Sequence, residues 1–152
     1  MLQDNPSHSG QEDMFRARLD AIIDPRHELV RPSGVIDWDG LANDLSQYYC
    51  LADGRPGEPV RLMAGLILLK EMKGLSDEEL CATWRENPYF QYFCGEEFFQ
   101  HVCPVDQPSI SNFRSRISEA GMERIFEETV RVGLATGTIS KRDVEKVTVD
   151  TT

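Results

Sequence analysis

The sequence predicts a mainly α-helical protein with one C-terminal strand, and three observations carry that reading. Apolar residues recur at helical spacing in segment after segment, and capping and stop residues stand at the segment ends. Period-two alternation is confined to the last few residues, Glu145 to Asp150. The chain of 152 residues can bury about two-thirds of its unfolded surface, which is enough for a core without staples. Its composition, 40 % hydrophobic and 28 % charged, excludes collagen-like, low-complexity and fully disordered chains.

Residues 1–12 read as a disordered leader, residues 13–136 as the helical domain, and residues 137–152 as a linker and first strand. Phe15, Leu19, Ile22 and Ile23 form one helical stripe that Asp13 caps and Pro25 ends. Asp37 caps a second helix bearing Trp38, Leu41, Leu45 and Tyr48. The stretch from Asp53 to Pro59 is rich in turn formers, and its last proline suits a first helical turn. From Val60 to Lys73 the chain is apolar on nearly every side, closes with cations and meets Gly74, so this is the central buried helix. Ser76 and Glu79 form a capping box for a helix through Leu80 and Trp84 to about Arg85, after which Pro88 restarts the chain.

Six aromatics lie between Tyr89 and Phe99. Aromatics that stack on unpaired bases come with interleaved cations, whereas Glu96 and Glu97 stand here, so core packing is expected. Asp106 or Ser109 caps the next helix, with Ile110, Phe113 and Ile117 as its apolar stripe. A further helix from about Gly121 to Ala135 is expected to bury Met122, Ile125, Phe126, Thr129 and Val130. The strand Glu145 to Asp150 needs partners for its hydrogen bonds.

The formal charge of −10 argues against strong nonspecific binding to nucleic acid. The acidity sits in the first hundred residues, because from His101 onward eight acidic side chains face seven basic ones. The longest apolar run, Leu62 to Leu69, is too short for a membrane span and the N-terminus is polar, so a cytoplasmic location without membrane contact is expected. Cys50, Cys81, Cys94 and Cys103 make no CxxC pair and read as reduced, packed thiols; a zinc site from Cys81, Cys94, His101 and Cys103 has only a single His-x-Cys behind it. His8, His27 and His101 lack the partners of a triad or metal cluster.

The segment from Asp106 to Ser118 is the best candidate for reading nucleic acid. At 100° per residue, Ser111, Asn112 and Ser115 point away from the apolar stripe, Arg114 and Arg116 flank it, and Ser109 stands at its start. Small polar groups and an amide suit base edges, and arginines suit phosphates or guanine; the competing reading is an ordinary amphipathic surface helix. The helix at Ser76 lies too far upstream to complete a tight helix-turn-helix. Asp150 is the second candidate, as a carboxylate at the end of a strand-like run, although a lone carboxylate there is commonly a turn residue.

Four strings carry a resemblance: RLMAGLILLKEMKGLSDEEL, NPYFQYFCGEEFFQH, SISNFRSRI and RVGLATGTISKRDVEKVTVDTT. Together, from about Pro25 to Thr152, they resemble the N-terminal part of bacterial insertion-sequence transposases of the insertion-sequence-five family, with an InsH-type N-terminal domain. The resemblance implies a helical DNA-binding region that recognises the terminal inverted repeats in double-stranded DNA. It implies next an RNase-H-like core carrying a DDE carboxylate triad, whose first strand the ending VTVDTT resembles. Asp150 then matches the first catalytic Asp, a ligand of Mg²⁺ or Mn²⁺ in the complete enzyme. The chain stops before a second Asp and a Glu, so by itself it is expected to be catalytically incomplete and to hold no metal tightly. The alternatives are a stand-alone DNA-binding regulator or inhibitor of transposition and an inert truncated relic, with intact transposase or a second copy of the chain as further partners.

Overall fold

The computed structural model describes residues 16–48, 58–137, 140–143 and 145. Seven α-helices run between residues 19 and 135: α1 Leu19–Ile22, α2 Val30–Val35, α3 Trp38–Leu45, α4 Val60–Lys73, α5 Asp77–Glu86, α6 Pro88–Phe93 and α7 Gln107–Ala135. A 3₁₀ turn, Ser46–Tyr48, extends α3. No strand occurs among the described residues, where β structure amounts to an isolated antiparallel bridge between Arg18 and Phe98. Glu145, where the sequence places the start of a strand, is helical, and residues 146–152 lie outside the described residues, as does the expected leader over residues 1–12.

Helix α4 is the centre. Every residue from Leu62 to Leu69 is buried, and α3, α5 and α7 pack around it. Its end is chemically defined, because Gly74 takes a left-handed conformation at φ 63° that carries no Cβ penalty in glycine. Gly65 allows α4 to approach α6 closely: a Cβ there would stand 3.0 Å from Cys94 Sγ and 3.3 Å from its Cα.

The caps expected at Asp37 and Ser76 are in place. Asp37 accepts from the Gly40 N–H at 2.9 Å, and Ser76 and Glu79 form both halves of the capping box. Asn87 caps α6, accepting from the N–H groups of Tyr89 and Phe90. The aromatic run is core and core margin, with Phe90 and Phe93 buried and Tyr89, Tyr92, Phe98 and Phe99 half-buried. Gln91 is fully buried yet satisfied: its amide donates to the carbonyls of Trp84 and Gln100, and its oxygen accepts from the Gln100 N–H at 2.7 Å.

Two expectations fail in instructive ways. The first helix begins only at Leu19, because Arg18 is held extended by its bridge to Phe98, and the Leu19 N–H donates to the Glu97 carbonyl. Ile22 is consequently exposed, while Leu19 and Ile23 stay in the core; Asp13 and Phe15 lie outside the described residues. In α7 the buried residues after Ser118 are Gly121, Ile125, Glu128 and Val132. Phe126 and Val130, expected inside, face outward, and Met122 and Thr129 are half-buried. The helix turns this way because Glu128 is stabilised where it sits, accepting from the Asp37 N–H at 2.8 Å and from the guanidinium groups of Arg124 and Arg131.

Helix α7 is two rods joined at Ser118, which has φ 60° and ψ −174°. That region is almost the preserve of glycine, so the joint stores backbone strain. The two helices expected over this stretch are therefore distinct in direction even though the chain does not leave helical hydrogen bonding for long. None of the described helices is long and apolar enough to cross a membrane.

Candidate nucleic-acid interface

The first rod of α7 starts with a strong cap. The Asp106 carboxylate accepts from both the hydroxyl and the N–H of Ser109, which hold its pKa below the usual carboxylate range. Ser109 is thus half-buried and occupied within the cap rather than presented outward. Ile110, Phe113 and Ile117 anchor the rod in the core. On the side away from them, Ser111, Asn112, Ser115 and Arg116 are exposed. Their 100° spacing gives one short polar face, as the sequence indicates.

Arg114 is less exposed than Arg116. Its guanidinium donates to Asp77 Oδ2 at 2.7 Å, while Lys70 donates to Oδ1 of the same carboxylate at 2.7 Å. All three side chains are about a quarter exposed. Burial works against the Asp77 charge, yet the hydrogen bond from Lys70 and the charge of Arg114 outweigh it and keep the pKa below the usual range. Arg114 therefore ties α7 to the start of α5 and to the end of α4, so its charge is largely met inside the protein. The neighbouring first turn of α5 adds Asp77, Glu78 and Glu79, a local field that opposes phosphate.

The face can do two things chemically. The Asn112 amide has a donor and an acceptor side by side, the pattern that matches adenine N6 and N7, and the hydroxyls of Ser111 and Ser115 pair with either kind of base-edge group. Arg116 at the edge of the face suits a phosphate. The arrangement is a rigid-helix display in which a single turn carries the polar groups.

The remaining candidates are dispersed. His27 stacks on Tyr89 at 3.7 Å and accepts from the Leu29 N–H, while exposed His101 meets the edge of Phe99. Cys94 is buried, which pushes its thiol pKa far up; Cys81, also desolvated and beside Cys103, is raised to about 11. Among the described residues, no group of three or more His, Cys, Asp or Glu side chains is arranged to hold a metal ion, so the four-ligand zinc arrangement does not assemble. Cys50, His8 and Asp150 lie outside the described residues.

One feature escaped the sequence altogether. An open cleft of about 600 Å³ between α2 and the ends of α4 and α7 is lined by Arg26, Arg31 and Lys73, with Glu28 paired to Lys73. Its cations come from two segments, residues 26–31 and the end of α4, so no single linear motif announces them.

Comparison with known proteins supplies the context for this geometry. The chain is similar to an uncharacterized protein of Rhizobium meliloti, ORF8 in the nfe locus, with 47% identity over all 152 residues and 72% of that protein covered. No solved structure matches. A family model described as a transposase domain, DUF772, matches residues 17–116, a span that runs from the bridge at Arg18 to the polar face of α7. By that match over more than half its length, the chain belongs to the DUF772 transposase-domain family.

Proposed function

We propose that the chain is the DNA-binding N-terminal part of an insertion-sequence transposase of the insertion-sequence-five type, and that it recognises the terminal inverted repeats of its element. The observation that carries this reading is the exposed Ser111, Asn112, Ser115 and Arg116 face on a capped helix, inside the span matched by the transposase domain. Arg114 acts by fixing the helix against Asp77, and Ser109 acts by closing the cap. Specificity comes from the base edges, since a chain of net charge −10 gains little from undirected phosphate attraction.

In the complete enzyme, Asp150 is proposed as the first carboxylate of a DDE triad, holding Mg²⁺ or Mn²⁺ together with carboxylates from elsewhere. Such ions activate the attacking oxygen and stabilise the leaving one. The described helices then serve to bind and orient the DNA end rather than to cut it.

Binding of repeat and scrambled duplexes, measured by fluorescence anisotropy across a salt titration, tests the reading. The repeat should bind more tightly, Asn112→Ala should erase most of that preference, and Arg116→Ala should weaken both duplexes and lower the salt slope by about one unit. Equal affinity for the two duplexes at every salt concentration would overturn sequence-specific recognition.

A further inference from the structure

Four glutamines lie among the described residues, and three of them use their amides within the protein. Gln47 donates to the Asp44 carbonyl, Gln91 is bonded to Trp84 and Gln100, and Gln100 donates to the Phe98 carbonyl. Gln107 is the exception: it is exposed, and its amide makes no hydrogen bond among the described residues.

Its place is fixed all the same. Gln107 is the first residue of α7, between the Asp106 cap and Pro108, one turn before Ser111. Asp106 holds Ser109 by both its N–H and its hydroxyl, and Ile110 is fully buried, so the backbone under Gln107 is set by the cap and by the core. At 100° per residue, Gln107 lies about 40° from Ser111 and about 80° from Ser115 around the helix axis, on the flank opposite Arg116. The exposed polar face therefore begins one turn before Ser111. From Ser111 to Arg116 it spans about 7.5 Å along the axis, close to two base-pair steps, and from Gln107 it spans about 13 Å, close to four.

Charge decides what the amide addresses. Asp106 stands beside Gln107, and Arg114, two turns along the same flank, is tied to Asp77 in the acidic first turn of α5. Phosphate is opposed on that flank, whereas a neutral amide is not. The end of the helix is not itself the recognising element, because Asp106 already takes the Ser109 N–H. A glutamine amide offers a donor and an acceptor side by side, which matches N6 and N7 of adenine in the major groove.

We infer that Gln107 is a further base-reading residue, contacting an adenine in the major groove about two base pairs from the position that Asn112 reads. The inference rests on the proposed recognition of duplex DNA by the front rod of α7 and extends it to a residue outside that set.

Selection from duplexes carrying a randomised block of about 14 base pairs, followed by fluorescence anisotropy on the enriched duplex, tests it. Wild-type protein should enrich one site. Gln107→Ala should lose the preference for adenine at one position and bind the wild-type site about tenfold more weakly, with an unchanged circular dichroism spectrum and urea midpoint. Gln107→Glu should move the preference at that same position from adenine to cytosine, whose N4 amine donates to a carboxylate, a change that no purely structural role produces. Asn112→Ala should relax a different position, about two base pairs away. If Asn112→Ala relaxes a position while both Gln107 variants keep the wild-type preference at every position, the inference is overturned and the Asn112 reading stands. Enrichment of no site by the wild type overturns both.

Discussion

Glu128 is the buried carboxylate on which the packing of α7 against α3 turns, and its replacement by Gln gives a sharp test of that role. Its side chain is 3 % exposed and accepts from the Asp37 N–H, from Arg131, and from Arg124 at 3.5 Å. Gln keeps one oxygen for the Asp37 N–H but loses the charge that both guanidinium groups address. Hydrogen bonds to charged groups contribute about 1.5 to 3 kcal/mol each, and the half-exposed Arg131 recovers part of its share by turning to water. The net cost of Glu128→Gln is therefore about 2 kcal/mol, and Glu128→Ala, which also strands the Asp37 N–H, costs about 3 to 4 kcal/mol. Urea unfolding followed by circular dichroism reads this as a midpoint lowered by about 1 M for Gln, with an m-value of about 2 kcal/mol per molar.

The same residue sets a pH dependence. The Arg131 hydrogen bond, against the penalty of burial, holds the Glu128 carboxyl below its ordinary value of 4.5, so the folded state binds this proton more weakly than the unfolded chain does. Its contribution is complete above the ordinary value and is lost as pH falls through the depressed one. The gap between wild type and Glu128→Gln should accordingly narrow as pH is lowered from about 7 toward about 3. A gap of zero at neutral pH, or one that is unchanged in acid, refutes the assignment of a charged, buried Glu128.

Three further substitutions probe the frame. Leu66→Ala, at a fully buried position of α4, should cost about 2 to 5 kcal/mol in urea unfolding, and a midpoint that hardly moves would make α4 peripheral. Gly65→Ala places a methyl group against Cys94 of α6 and should cost about 1 to 3 kcal/mol, with a smaller penalty when paired with Cys94→Ala, as a double-mutant cycle would show. Ser118→Gly relieves the strained joint of α7 and should stabilise by about 1 kcal/mol, so a loss of stability would mean that the serine side chain matters more than its backbone.

Local chemistry was legible wherever it decided the structure. Helix α4 could be read from its unbroken apolar run, terminal cations and Gly74, and α5 from the Ser76 and Glu79 box. Helix α2 could not be read, because Pro32 and Gly34 fall within its six residues; it is held instead by contacts with α6 and α7 and by the Trp38 indole, which donates to the Ser33 carbonyl. The orientation of the second rod of α7 was misread for a related reason. Apolar character alone favours Phe126 and Val130 for the interior, and burying Glu128 makes sense only once the Asp37 N–H, 91 residues away, is known to meet it. At the candidate interface, helical spacing correctly separated Ser111, Asn112 and Ser115 from the core stripe. It could not show that Arg114 is claimed by Asp77, a partner 37 residues upstream.

The joint at Ser118 gives α7 a form of torsional insulation. In an unbroken helix, every residue's azimuth is fixed by its distance along the chain, so rotating one end to suit a new contact rotates the other. One residue with φ 60° resets that phase between residues 117 and 119. The family match ends at residue 116, just short of the reset. The front rod can consequently keep Asn112 and Arg116 aimed in one direction while the rear rod is turned by Glu128 to suit its own neighbours, and a change in either bearing need not be transmitted to the other.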